Sequence, residues 1–176
     1  MNRSDMISFI HGINEHQASQ VIKALLDNNP DFLKKVYDIA VQVVGNVDTE
    51  EIADNVYYAL DVLDIEMLSG RAGRTRYGYV EPTEAAWEIF EEAITPFIDE
   101  MKKSQQRALP AVAKSHCVGI VKGLIRYGED SSSDLKEWVS DAPNEYVYTV
   151  IQEWERGNPP GIDIAEVMEI VKEEKA

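Results

Sequence analysis

The chain of 176 residues reads as all-α: about eight amphipathic helices in antiparallel hairpins, forming a right-handed α-α superhelix or an irregular helical bundle. Three observations lead there. Apolar residues recur three and four positions apart along most of the sequence, while the two-residue alternation of strands is nearly absent. Asn, Asp, Ser, Pro and Gly stand where helices start and stop. At 44% hydrophobic and 28% charged, the chain has enough apolar surface to offset its conformational entropy.

Each element has its own signal. A short helix is predicted from about Ser4 to His11. Asn14 and Gln17 form a capping box before Ala18, Val21, Ile22 and Leu25. Asn29 and Pro30 open the next helix, whose apolar face is Phe32, Leu33, Val36, Ile39, Ala40 and Val43, with Gly45 and Asn46 ending it. Asp48 and Glu51 read as another capping box, starting a helix to about Leu68 with a stripe of Ile52, Val56, Leu60, Leu63 and Met67. A long Gly/Arg loop spans 69–82. The helix after it carries Trp87, Phe90, Ile94, Phe97, Ile98 and Met101, and Pro96 predicts a kink or a junction of two helices.

From about Leu109 to Tyr127 a helix turns Cys117, Ile120, Val121 and Leu124 to the core. Ala111, Ser115, Gly119 and Gly123 recur every four positions and leave room for a close neighbour. Ser131–Ser133 cap a short helix through Trp138, and Pro143 opens another with Tyr146, Val147, Val150, Ile151 and Trp154. A Gly/Pro break at 157–162 precedes a terminal helix boxed by Asp163 and Glu166, whose Ile164, Val167, Met168 and Val171 need a partner. The expectation is one helical domain over 1–176.

The turn Asp27-Asn28-Asn29-Pro30-Asp31-Phe32-Leu33-Lys34-Lys35, followed by Val36 and Ala40, resembles the inter-helix turn of HEAT-type helical repeats (HEAT/ARM-like), in which an Asp, a Pro and an apolar-basic pair join two stacked helices. Ser140–Tyr148 echoes it without the basic position. The likeness covers two turns, and no regular internal period accompanies it. It implies a scaffold that binds other macromolecules rather than an activity.

Charge narrows the partners. A formal net charge of −15 disfavours general nucleic-acid binding, because an acidic surface repels phosphate. A lone cysteine, Cys117, fits a reducing compartment. Met1 to Ile13 holds Asp5 and His11 and lacks a signal peptide's apolar run, and no stretch nears the roughly 20 apolar residues of a membrane span. The expected setting is cytoplasmic, without a membrane. The basic residues are segregated, since 67–80 and 101–128 contain no acid.

That segregation singles out Gly70–Tyr79. Arg71, Arg74 and Arg76 offer forked donors suited to carboxylate or phosphate, glycines let a ligand approach the backbone, and Tyr77 and Tyr79 add aromatic surface. Alternatively the arginines pair with acidic helix faces and the tyrosines pin the loop to the core. A helix of about 18 residues spans about 27 Å, so the antiparallel return should bring Lys122 and Arg126 back to the loop's end. Lys102, Lys103, Arg107 and Lys114 would gather at the other end, where cations suit a helix C-terminus, with Asp99 and Lys103 as an i,i+4 pair.

Other chemistry finds little purchase. Glu51/Asp54, Asp61/Asp64 and Glu88/Glu91 have the spacing by which helices offer oxygens to Mg²⁺, but Asp54 and Asp61 project away from Ile52, as a solvated face does. The histidines do not converge, Cys117 reads as a small core residue, and no phosphate-binding fingerprint occurs. No catalytic residue, metal site or cofactor is expected. The leading expectation is therefore a non-enzymatic interaction protein that binds an acidic or phosphorylated partner through Arg71, Arg74, Arg76, Tyr77, Tyr79, Lys122 and Arg126. The alternatives are a metal-dependent all-α nucleotide hydrolase, and a structural homo-oligomer subunit docking through its acidic C-terminal helix.

Overall fold

A computed structural model describes residues 2–76 and 78–174, with Thr75 described by its backbone alone. The chain is all-α, with nine α-helices among the described residues and a single two-stranded hairpin. It divides into two compact units, Met1–Val44 and Gly45–Ala176, where the sequence suggests one domain.

The first unit contains α1 (Arg3–His11), α2 (Glu15–Asn28) and nearly all of α3 (Phe32–Gly45). Local chemistry fixes the first two starts. Asn14 Oδ1 accepts from the Gln17 N–H at 2.9 Å and Gln17 Oε1 from the Asn14 N–H at 3.0 Å, the box read from the sequence. Asn2 and Asp5 make the same reciprocal pair at α1. The third helix begins two residues after Pro30, because 30 and 31 form a turn in which the Phe32 N–H donates to the Asn29 carbonyl. No described residue of this unit is buried.

The second unit holds the core. Its elements are α4 (Thr49–Asp61), α5 (Ile65–Ser69), β1 (Gly73–Thr75), β2 (Gly78–Val80), α6 (Pro82–Gln106), α7 (Pro110–Asp130), a 3-10 turn at Asp134–Trp138, α8 (Ala142–Glu155) and α9 (Gly161–Glu174). Helix α7 is central and packs against α4, α6, α8 and α9. The small-residue stripe is what allows this. A Cβ on Gly119 would lie 2.6 Å from Ile52 Cβ, and one on Gly123 2.6 Å from the Ala53 carbonyl oxygen. Gly119 faces Ile52 and Gly123 faces Val56, so α4 and α7 run parallel, the chain passing from one to the other through α5, the hairpin and α6.

Three expectations are corrected or narrowed. The helix predicted to reach Leu68 ends at Asp61, since Asp64 caps a new one through the N–H groups of Glu66 and Met67 at 2.7 and 3.2 Å. The change of phase buries Leu68 and leaves Met67 46% exposed. At Pro96 two helices do not meet, since a single helix, α6, runs through it. Finally, α9 starts at Gly161, so Asp163 and Glu166 lie inside it, where both accept from Lys114 Nζ at 2.7 and 2.6 Å. The partner that Val167 and Val171 require is α7 of the same chain.

Candidate functional site

The Gly/Arg connection is an ordered hairpin. Positive φ at Gly73 (102°) and Gly78 (146°) gives the backbone conformations that favour glycine, and the register pairs Gly73 with Val80, Arg74 with Tyr79 and Thr75 with Gly78. Ala72 and Val80 pack against the core, anchoring one face. Arg74 and Tyr79 are cross-strand partners and therefore project from the same face. Both are exposed. No ion pair of Arg74 occurs among the described residues.

The other expected members have different surroundings. Arg71 donates both guanidinium arms to Glu92 of α6 at 2.7 Å. This forked pair raises the Arg71 pKa and holds the Glu92 carboxyl below its ordinary range. Lys122 Nζ donates to Glu50 at 2.7 Å and pairs with Glu174 at 3.1 Å. Arg126 pairs with Glu50 and, at 2.9 Å, with Asp54. Hydrogen bonds from Lys122 first and Arg126 second depress the Glu50 pKa, while Glu50 raises both cations. Thus Lys122 and Arg126 come together on Glu50, along the parallel α4/α7 seam, with partners on α4 and α9. Arg76 is exposed, and Tyr77 lies outside the described residues.

The second basic cluster is also paired: Lys102 with Glu153 at 3.1 Å, Lys103 with Glu100 at 2.6 Å, and Lys114 with Asp163 and Glu166. Lys103 takes Glu100, three residues back, in place of Asp99. Of the acidic pairs, Asp54 is held by Arg126, and Asp61 accepts from the Ser131 hydroxyl at 2.6 Å. Glu88, Glu91 and Glu92 border an open cleft of about 380 Å³ with Thr95 and Pro96, and Glu92 there is already taken by Arg71. Among the described residues no three His, Cys, Asp or Glu side chains gather as a metal site.

Cys117 is fully buried, and burial pushes its thiol up to about 12. His116 is half-buried with no hydrogen-bond partner for Nδ1, and desolvation lowers its pKa. Tyr127 is fully buried beside Phe90, its ring centroid 5.8 Å away, and its hydroxyl also lacks a hydrogen bond.

The serines do more than the capping read from the sequence. Ser133 Oγ accepts from the Leu135 N–H at 3.3 Å and also donates to the Leu63 carbonyl, so Ser131 and Ser133 clasp the end of α4 to the end of α7. The sequence signal was a polar turn next to a helix end, which does not distinguish a cap from a clasp.

No protein-family model, curated protein or solved structure matches the chain. Among the described residues no helix is long and apolar enough to cross a membrane.

Proposed function

We propose that this is a non-enzymatic helical interaction protein that binds an acidic or phosphorylated segment of a partner protein through its Gly73–Val80 hairpin. The observation that carries the reading is the Arg74/Tyr79 pair, a guanidinium and an aromatic ring side by side on an exposed, core-anchored face. An Arg presents a fork that fits carboxylate and phosphate, and a neighbouring Tyr adds rigid amphipathic area at low entropic cost. Arg76, two residues on, is also exposed. By contrast Arg71, Lys122 and Arg126 already satisfy acids of their own chain and serve the fold.

The test is titration of labelled polyglutamate and phosphoserine peptides into the full chain. Replacing Arg74→Ala together with Arg76→Ala should weaken binding about tenfold or more, or at least ~1.4 kcal/mol, and Arg74→Ala alone should leave Tm unchanged. Lys122→Ala should leave affinity unchanged. An unaltered affinity in the double variant, or no binding to either peptide, would contradict the proposal.

A further inference from the structure

We propose that residues 2–44 are a self-association surface, on which the apolar faces of α2 and α3 pack against the same faces of a second copy of this chain. The hairpin reading does not bear on it. Of the large hydrophobic side chains exposed among the described residues, thirteen of twenty-one fall in this first quarter of the sequence. They include Phe9 at 70%, Leu33 at 60% and Val43 at 72% exposure. The helices are nonetheless firmly specified, since capping boxes start α1 and α2 from local residues. Helix is encoded here, but its core is not supplied by the unit itself.

Size and charge say what supplies it. A segment of about 40 residues stabilises itself only with disulfides, metals or oligomerisation. This one has no cysteine, and no metal-ligand cluster occurs among the described residues. The nine of these thirteen apolar side chains on α2 and α3, each about half exposed, offer roughly 800 Å² per copy, comparable to the ~800 Å² per partner of a standard interface. Between α2 and α3, Leu25, Phe32, Val36 and Ile39 line a concavity of about 230 Å³ that gives a partner side chain a socket.

Charge favours a copy over other occupants. Residues 1–44 carry four basic and five acidic side chains, a net −1, whereas the other 132 residues carry −14. The segment alone can therefore approach its own image without strong repulsion. Lys23, Lys34 and Lys35 stand with Asp27, Asp31 and Asp38, and none makes an ion pair among the described residues, so both signs are open to pairing across a two-fold interface. A lipid surface calls instead for a helix rich in Lys and Arg.

The experiment is analytical ultracentrifugation of the full chain over a micromolar dilution series. The expected species has about twice the 19.9 kDa of one chain at the upper end and dissociates on dilution. Ile22→Asp with Ile39→Asp should be monomeric throughout, an affinity loss of at least about a hundredfold, while Ile162→Asp, at a 77% exposed site in the second unit, should dimerise as before. An Ile22→Lys/Ile39→Lys chain mixed with the Asp chain should restore the two-chain species, separating lost contact from lost fold. A wild type that stays monomeric at every concentration would overturn the proposal, whether neutral vesicles then capture it or the rest of its own chain covers the face. A dimer that survives the paired Asp substitutions would overturn it too.

Discussion

Helices α3 and α7 have equally clear apolar faces in sequence, yet one buries nothing and the other is the most enclosed element of the chain. Val36, Ile39, Ala40 and Val43 follow the helical period as faithfully as Ile120, Val121, Leu124 and Tyr127 do. The difference lies in neighbours. Helix α7 has two glycines that admit α4 at van der Waals range, and α6, α8 and α9 around it. Helix α3 has only a shallow apolar socket with α2. Amphipathicity therefore states that a face needs burial, not where the burying surface comes from.

The contrast is sharpest for large side chains. Phe90→Ala, at a fully buried ring between buried Tyr127 and half-buried Tyr146, should cost about 3–5 kcal/mol by urea unfolding followed through tryptophan fluorescence. Leu33→Ala in α3, measured at concentrations too low for association, should cost less than about 0.5 kcal/mol. Comparable losses would mean that residues 2–44 have a core of their own.

A smaller effect probes the seam. Gly123→Ala would put a methyl 2.6 Å from Val56 Cβ and the Ala53 carbonyl, so overpacking should lower stability by about 1–3 kcal/mol in thermal melts. Gly45→Ala, with no atom within 4 Å of the added carbon, should be near neutral. Equal effects would contradict close α4/α7 packing.

The mildest effect is electrostatic. The Glu50 pKa is depressed in the folded chain by Lys122 and Arg126, so its contribution is present above the unfolded carboxylate value and fades as pH falls through the lower folded one. Tm should decline more steeply below the ordinary carboxylate range in wild type than in Glu50→Gln, and high salt should narrow the gap, since the pair is half-exposed. An identical pH profile in the two would remove the seam's ionic role.

Much of this was legible in the sequence. The Asn14/Gln17 box, the Gly119/Gly123 approach and the burial of Cys117 follow from residue types at helical spacing. Three things were not. The stop at Asp61 was hidden because Leu63 and Met67 continue the stripe, and Asp64 lacks the acidic or amide partner three residues on that marks a box. The hairpin was hidden because each strand is three residues long, too short for an alternation to register. Lys122 and Arg126 were assigned to the loop from the antiparallel return of α7 along α6, whereas their partners are Glu50 and Asp54 across the α4/α7 seam, which no spacing rule links to them. Arg74 and Tyr79 were legible as types, and only the strand register places them together.

The central claim is that the second unit carries its own core while residues 2–44 obtain theirs from a second copy. Amide hydrogen exchange of the full chain at a low and a high protein concentration tests it most directly. Amides of α7 should be strongly protected at both, and those of α2 and α3 should exchange within the dead time when dilute and become protected when concentrated. Protection of α2 and α3 that is the same at both concentrations would contradict the account.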